Sequence, residues 1–267
     1  MNKKYFFFDI DGTLIDCNKD IYSIQTSTRS ALDQLKEQGD DVFLATGRCK
    51  CFIVDGVMDY PFSGYVTCNG AYVEYQGKCV YKNIIPSEAI QKTHELCLER
   101  NMAYYFEGND YIYVLNKTNP KHIEFKDNWG MKDETIVDSF DFKNIETYIG
   151  MIVINSKEDI EPMVNALSPY FNIQRHQSEF SFDLTLRGES KAKGILELVK
   201  HLNRSIQDTV AFGDGRNDIE MLSEVGLGIA MGNAAIEAKH VADFITDDVD
   251  KDGIVKALHH FSLLKPR

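Results

Sequence analysis

Residues 5–14 decide the fold. They read "YFFFDIDGTL", an apolar run that ends at two aspartates separated by one residue. Four aromatic residues without polar alternation are typical of a strand buried on both faces of a parallel sheet. Alternate residues of an extended segment point the same way, so Asp9 and Asp11 would both reach one ligand beyond the strand. Open α/β sheets bind ligands at that end. Because Asp-Gly is also a common turn pair, a solvated turn is the alternative.

Composition and charge narrow the classes of function. The chain has 267 residues, enough for one large domain or two smaller ones, and its 43% hydrophobic content is ordinary for a globular protein. A net charge of −12 argues against a nucleic-acid partner but allows a small phosphorylated ligand. No apolar run approaches the roughly 20 residues of a membrane helix, and the N-terminal apolar stretch is too short for a signal peptide. We therefore expect a cytoplasmic protein without a membrane partner.

Two segments outside the aspartate pair partly match metal-binding motifs. The six cysteines fall in the first 100 residues of a large chain without an export signal, so we expect reduced thiols. The sequence Cys49-Lys50-Cys51 offers two soft ligands, but no second Cys or His pair lies nearby at zinc-site spacing. Residues 248–253, "DVDKDG", match the start of an EF-hand loop, yet His259 stands where a bidentate Glu is required. We expect no metal at either place and a polar loop at 248–253.

The pattern of predicted elements indicates an interrupted α/β layer. A strand, a helix from Ser27 and a second strand at 41–45 open the chain, and helix–strand alternation resumes after Gly188. Between them, a helix at 86–100, strands at 103–108 and 148–155, and a helix at 160–167 favour an α+β module. The stretch around Trp129 is weakly patterned and receives no element. The predicted division is 1–83 and 187–267 for the core and 84–186 for the insert.

Two further strand ends carry polar residues. "ATGR" places Thr46 and Gly47 after the second strand, and a hydroxyl beside a residue that permits close approach of backbone amides suits a phosphate oxygen. "GDGRND" places Asp214 after a third strand, with Asn217 and Asp218 in the next loop. Taken alone, each loop is equally well explained as a polar turn. Together, acidic side chains at strand ends could hold Mg²⁺, which would also bind a substrate phosphate.

A cation for the phosphate comes from "GESKAKG". Lys191 starts a predicted helix for which Ser190 is the N-cap, so its charge adds to the positive end of the helix dipole. Lys193 competes for the same role, and a surface position is the ordinary fate of either lysine. The sequence leaves the choice between them open.

The four segments together resemble a known family. "DIDGTL", "ATGR", the lysine of "GESKAKG" and "GDGRND", in this order, are similar to the four motifs of the haloacid dehalogenase superfamily. With the insert, "CNGA" (68–71) and "AMGNA" (230–234), the chain looks like the Cof-type sugar-phosphatase branch with a type IIB cap. The resemblance covers nearly the whole chain. It implies a Rossmann-like, doubly wound parallel sheet core with an inserted α+β cap domain that selects the substrate.

The resemblance also implies a role for each motif residue. Asp9 would be the nucleophile that forms an aspartyl-phosphate, and Asp11 the general acid and then the general base. The residues that hold the phosphate would be Thr46, Gly47, Lys191 and Asn217. The ligands of Mg²⁺ would be Asp9, the backbone carbonyl of Asp11 and Asp214, with Asp218 acting through water.

The implied function is a Mg²⁺-dependent phosphatase of small phosphate monoesters, acting as a monomer or weak homodimer. An aspartate at position 11 favours phosphatase over ATPase chemistry, because a stable phosphoester needs an acid for its leaving group. Sugar phosphates lead the substrate classes, with nucleotides, flavin mononucleotide and pyridoxal phosphate behind. The alternatives are a phosphomutase, a phospho-receiver signalling module and an inactive binding protein. A receiver module would be a single short domain, so the additional sequence, enough for a second domain, argues against it.

Overall fold

A computed structural model describes residues 3–114, 118, 120–129, 132–175 and 181–265 of the chain. It divides into two compact units. The core unit comprises 1–47, 53–81 and 190–267, and the inserted unit comprises 48–52 and 82–189. The sequence division assigned 48–52, 82–83 and 187–189 to the core, whereas in the structure these segments belong to the inserted unit.

The described residues form the following elements. The strands are β1 (Tyr5–Phe8), β2 (Asp41–Ala45), β3 (Gly64–Thr67), β4 (Tyr72–Tyr75), β5 (Lys78–Lys82), β6 (Ala103–Glu107), β7 (Ile112–Tyr113), β8 (Ile136–Val137), β9 (Ile149–Val153), β10 (Phe171–Arg175), β11 (Ser181–Leu186), β12 (Thr209–Gly213), β13 (Leu227–Ala230) and β14 (Phe244–Ile245). The helices are α1 (Thr26–Glu37), α2 (Asp55–Met58), α3 (Ser87–Glu99), α4 (Pro120–Trp129), α5 (Ile160–Leu167), α6 (Lys191–His201), α7 (Ile219–Glu224), α8 (Ile236–Val241) and α9 (Gly253–His260).

The core unit contains a sheet of order β14-β13-β12-β1-β2-β3-β4-β5 over the described residues. The strands from β14 to β3 are parallel, and β4 pairs antiparallel with β3. β1 lies between β2 and β12. The strands that follow β2 in the chain extend the sheet on one side of β1, and those that follow β12 extend it on the other side. The crevice between β1 and β12 is therefore the topological switch point at which such sheets bind ligands.

Helices cover both faces of this sheet, as predicted for a doubly wound fold. Phe6 and Phe8 pack into one buried cluster with Leu32 of α1, and with Ala257 and Leu258 of α9. On the other face, Tyr5 and Phe7 pack into a second buried cluster with Ile195 and Leu198 of α6 and Met221 of α7. All four residues of β1 are buried. This confirms the prediction of a strand without a solvent face and explains its unbroken aromatic run.

The inserted unit contains a mixed sheet of order β10-β11-β9-β6-β7-β8 over the described residues. Its strands pair antiparallel except β7 with β8. One face packs on α3 and α5 through a cluster that includes Tyr104, Phe106, Phe182 and Leu184. The predicted α+β character is therefore confirmed. No helix in the described part of the chain combines the length and apolarity that a membrane span requires.

Two regions differ in detail from the sequence interpretation. The weakly patterned stretch contains α4, which is tied to β6 by a hydrogen bond of 2.9 Å between His122 Nδ1 and the Tyr105 hydroxyl. The side chain of Trp129 lies outside the described residues. In the predicted polar loop at 248–253, a short 3₁₀ turn at Val249–Lys251 precedes α9. The Asp250 carboxylate there accepts a hydrogen bond of 2.6 Å from Lys19 Nζ.

Candidate active site

The carboxyl ends of β1 and β12 bring three aspartates together at the switch point. Asp9, Asp214 and Asp218 each offer a carboxylate oxygen, and these oxygens lie within 4.8 Å of one another. Asp9 directly follows β1, and its N–H donates to the Phe212 carbonyl at 3.0 Å, which continues the pairing of β1 with β12. Asp214 directly follows β12. The acidic residues that the sequence placed at two strand ends and in the following loop therefore lie close together in the fold.

Two of these carboxyl groups, those of Asp9 and Asp214, are protonated more readily than ordinary ones. Burial raises the pKa of Asp9 to about 7, and although Lys191 counteracts this, the charges of Asp218 and Asp11 add to it. Burial, followed by the charges of Asp9 and Asp218, raises the pKa of Asp214 to about 8. A hard divalent cation would offset both causes, since carboxylate oxygens are the ligands that Mg²⁺ prefers. The residues present therefore fit a magnesium ion.

Lys191 is the buried cation of the site. Its side chain is 0% exposed, and Nζ donates to Asp9 Oδ1 and to Asp218 Oδ1, each at 2.7 Å. Burial opposes the lysine charge, but Asp218 and Asp9 outweigh it and raise the pKa of Lys191 above its ordinary value. The predicted N-cap is present, because the Ser190 side chain accepts a hydrogen bond from the N–H of Lys193.

Lys193 has a different environment. Its Nζ pairs with Glu197 Oε1 at 2.8 Å, one turn further along α6, and 36% of its side chain is exposed. Of the two lysines that the sequence left open, the structure brings Lys191 and not Lys193 to Asp9.

Asp218 organises the loop that carries Asp214. Its Oδ2 accepts hydrogen bonds from the backbone N–H groups of Asp214 and Gly215, both at 2.9 Å, while Oδ1 accepts from Lys191. Both oxygens of this fully buried carboxylate are engaged by the protein itself. Asp218 thus fixes the position of Asp214 and of the lysine at once.

The predicted phosphate-binding residues Thr46, Gly47 and Asn217 lie near one another around Asn69. A Cβ atom on Gly47 would lie 3.0 Å from Asn69 Oδ1 and 3.4 Å from Asn217 Nδ2, so these groups surround the glycine closely. Asn217 Nδ2 donates to Asn69 Oδ1 at 3.3 Å, and the N–H of Asn69 donates to the Thr46 carbonyl at 3.1 Å. Thr46 is 1% exposed. Asn69 therefore links two loops that the sequence identified separately.

Asp11 differs from the other acidic residues because it is exposed. Its carboxylate is not one of the three that converge in the described cluster, and its charge acts on Asp9 and Asp214. Beside it, Gly12 has φ +78°, and a Cβ there would lie 2.1 Å from Asp214 Oδ2. The turn after β1 therefore requires glycine both for its backbone conformation and for the close approach of Asp214.

Three residues at the site were not predicted as contributors. Asn233 Nδ2 donates to the Gly12 carbonyl at 2.8 Å, and its Oδ1 accepts from the N–H of Val249. Thr13 Oγ1 donates to Asp214 Oδ1 at 3.4 Å. Asn69 was the third. Asn69 lies in "CNGA" and Asn233 in "AMGNA", two segments that were used above only to identify a branch of the family.

Comparison with known proteins identifies the family of the chain. Residues 6–258 match the haloacid dehalogenase-like hydrolase family. A Bacillus subtilis (strain 168) protein provisionally named phosphatase YkrA is 33% identical over 99% of this chain and 100% of its own length. The HMP-PP phosphatase of Yersinia pseudotuberculosis serotype O:1b (strain IP 31758) is 28% identical over 95% of this chain and 93% of its own. The structure of the subclass IIB sugar phosphatase BT4131 superposes with a TM-score of 0.84 at 32% identity, covering 98% and 100% of the two chains.

The chain therefore belongs to the haloacid dehalogenase-like hydrolase family, and it is an enzyme of that family's phosphatase branch.

Proposed function

We propose that the protein is a Mg²⁺-dependent phosphatase that hydrolyses small phosphate monoesters, with sugar phosphates leading, through an aspartyl-phosphate on Asp9. One observation carries the proposal: the Lys191 ammonium, fully buried, bonds Asp9 and Asp218 at 2.7 Å at the switch point of the sheet. A buried carboxylate held in one orientation by a cation is suited to nucleophilic attack. The same cation can stabilise the charge of a transferring phosphoryl group.

The protein residues divide the chemistry between two steps. In the first, an oxygen of Asp9 attacks phosphorus, the bond from phosphorus to the ester oxygen breaks, and Asp11 donates its proton to the leaving alcohol. In the second, Asp11 accepts a proton from water, the water oxygen attacks phosphorus, and the bond to Asp9 breaks to release inorganic phosphate. The exposed position of Asp11 supports this role, because it permits exchange of protons with solvent.

Asp9, Asp214 and the backbone carbonyl of Asp11 would hold the magnesium ion. Asp218 would act through water, because its oxygens already accept hydrogen bonds from Lys191 and two backbone N–H groups. When bound, the ion supplies positive charge that lowers the pKa values of the carboxyl groups and neutralises the phosphoryl oxygens. Thr46, Gly47, Lys191 and Asn217 would hold the phosphate by hydrogen bonds and charge.

The proposal extends to the inserted unit and the biological setting. The insert, predicted at 84–186, would serve as the cap that excludes water and selects the leaving group, while 1–83 and 187–267 supply the chemistry. The likeness to a sugar phosphatase and to an HMP-PP phosphatase supports small phosphorylated metabolites as substrates. The enzyme would be cytoplasmic and would act as a monomer or weak homodimer.

A panel of phosphate esters tests the proposal. Sugar phosphates, nucleotides, flavin mononucleotide and pyridoxal phosphate are incubated with wild type and with Asp9→Ala, each with and without Mg²⁺. We expect release of inorganic phosphate that depends on the metal and disappears in the variant. An isomeric sugar phosphate in place of inorganic phosphate would identify a phosphomutase. Absence of phosphate release from every ester, or full activity of Asp9→Ala, would refute the phosphatase mechanism.

A further inference from the structure

Cys49 and Cys51 form a close pair of thiols in the inserted unit. Their sulfur atoms lie 3.3 Å apart, so that one thiol donates a hydrogen bond to the other. Cys49 is buried, whereas Cys51 is partly exposed. The pair thus combines a partly exposed cysteine with a buried one.

The backbone holds the pair in place. The N–H of Phe52 donates to the Cys49 carbonyl at 3.0 Å and closes a 3₁₀ turn at Lys50–Phe52. The N–H of Cys51 donates to the Asn109 carbonyl at 3.0 Å. Two peptide units span at most about 7 Å, and a turn shortens this span, so the Cα separation falls in the range of disulfides, about 4.4–6.8 Å. A sulfur–sulfur bond of about 2.05 Å would require the two sulfurs to approach by only about 1.3 Å.

A carboxyl group that can accept a proton lies beside the buried thiol. Both the side chain and the backbone N–H of Cys49 donate hydrogen bonds to Glu107, which is 6% exposed. Burial and the charge of Asp183 raise the pKa of Glu107 to about 7, although Cys49 and Arg48 counteract them. Because this value is closer to that of a thiol than an ordinary carboxyl pKa, Glu107 is suited to take the Cys49 proton when a thiolate forms.

A metal site explains the pair less well. Structural sites for soft metals usually have four ligands, of which this pair supplies two. Among the described residues, the three-ligand cluster that the structure contains is Asp9, Asp214 and Asp218, and neither cysteine belongs to such a cluster. The close sulfur contact is instead the arrangement from which an internal disulfide forms.

We propose that Cys49 and Cys51 are a reversible dithiol–disulfide pair that low-molecular-weight disulfides oxidise. The Cys51 thiolate attacks one sulfur of the reagent, which forms a mixed disulfide and releases one thiol. The Cys49 thiolate then attacks the Cys51 sulfur, which forms the internal bond and releases the second thiol. In sum, the protein loses two electrons and two protons, and one disulfide reagent becomes two thiols.

The test uses the whole protein in mixtures of reduced and oxidised glutathione, followed by acid quench, denaturation and alkylation. Cleavage before aspartate gives the peptide 41–54, in which Cys49 and Cys51 are the cysteines. As oxidised glutathione increases, we expect the two thiols of this peptide to be lost to alkylation together, whatever the exposed cysteines elsewhere take up. The peptide should become two hydrogens lighter and take no alkyl group, and dithiothreitol should restore both thiols.

Variants show whether the reaction belongs to this pair. Cys51→Ser should not form the internal disulfide. At most, its Cys49 should form a mixed disulfide with glutathione. Cys79→Ser is the matched control, because Cys79 is exposed and donates to a backbone carbonyl rather than to a second sulfur; this variant should behave as wild type. The proposal is overturned if both cysteines are alkylated at every glutathione ratio. It is also overturned if each takes up glutathione and the mixed disulfides persist without internal closure.

Discussion

Replacement of Lys191 by methionine tests how the site is held together. The variant keeps a side chain of similar length and removes the charge that lies 2.7 Å from both Asp9 Oδ1 and Asp218 Oδ1. Removal of one partner from a buried ion pair costs about 3–5 kcal/mol, because the remaining charge is left without compensation. Asp9 can offset part of this cost by taking up a proton, since its pKa is already about 7. We therefore expect a loss near the lower limit, about 3 kcal/mol.

Lys193→Met is the matched control on the same helix. Lys193 pairs with Glu197 at 2.8 Å on the surface, with its side chain 36% exposed. Such a pair at positions i and i+4 contributes about 0.3–0.5 kcal/mol. The stability loss of Lys191→Met should thus exceed that of the control at least several-fold. Phosphate release should fall by about 10²–10³-fold in Lys191→Met, as when one charge-stabilising group is removed, and remain within about twofold in Lys193→Met.

The assay combines urea unfolding, followed by circular dichroism at neutral pH, with phosphate release at saturating ester and Mg²⁺. Unfolding at several pH values supplies a further check, because protonation of Asp9, whose pKa is raised to about 7, should reduce the penalty as the pH falls. The reasoning is wrong if Lys193→Met loses as much stability or activity as Lys191→Met. It is also wrong if Lys191→Met is as stable as wild type.

The remaining predictions concern single groups at and outside the site. Asn69→Ala removes the acceptor that orients the amide of Asn217, so kcat should fall about fivefold, the equivalent of one neutral hydrogen bond. Steady-state kinetics measure this, and the control is Asn203→Ala, since Asn203 is exposed and, like Asn69, has a positive φ. Gly12→Ala should lower the free energy of unfolding by about 1–3 kcal/mol, and by more than Gly39→Ala does. Both glycines have a positive φ, but a Cβ at position 12 would meet Asp214 whereas the space at position 39 is open. Between pH 4.5 and 7 the folded state retains a proton on Glu107 that the unfolded state releases, so unfolding free energy should fall with rising pH. Glu107→Gln should remove on the order of 3 kcal/mol of that fall in a pH series of unfolding curves.

Each of these predictions has a contradictory outcome. Equal kinetics for the Asn69 and Asn203 variants would show that Asn69 does not position the phosphate loop. Equal stability losses at Gly12 and Gly39 would mean that the approach of Asp214 imposes no cost beyond the backbone conformation. An unchanged pH profile in Glu107→Gln would show that its carboxyl group titrates as an exposed one.

The sequence predicted those parts of the fold that follow from local patterns. The apolar run of β1, the helix at α5 and the cap of α6 at Ser190 all depend on residue order within a few positions. The aspartates at two strand ends were also predictable, because parallel strands bring their carboxyl ends to one edge. The pairing of β1 with β12 then places Asp9 beside Asp214 without any further information.

Other features depend on contacts between distant segments. Lys191 and Lys193 stand in the same first turn and point in different directions around the helix, so only the packing of α6 decides which one reaches Asp9. Asn69 has φ +50° and bonds to groups on two other loops, neither of which a sequence pattern specifies. Similarly, α4 has no strong apolar periodicity, and its hydrogen bond from His122 to Tyr105 joins residues on separate elements.

The most direct test of the mechanism is to trap the phosphoryl group on Asp9. In Asp11→Asn the second step lacks its base, while p-nitrophenyl phosphate needs no acid for its leaving group. With Mg²⁺ present, this variant should release a burst of nitrophenolate of about one equivalent per enzyme. After acid quench, mass spectrometry should find the phosphoryl group on Asp9, and Asp9→Asn combined with Asp11→Asn should show neither burst nor label. A phosphoryl group on another residue, or steady nitrophenolate release by the double variant, would contradict the assignment of Asp9 as the nucleophile.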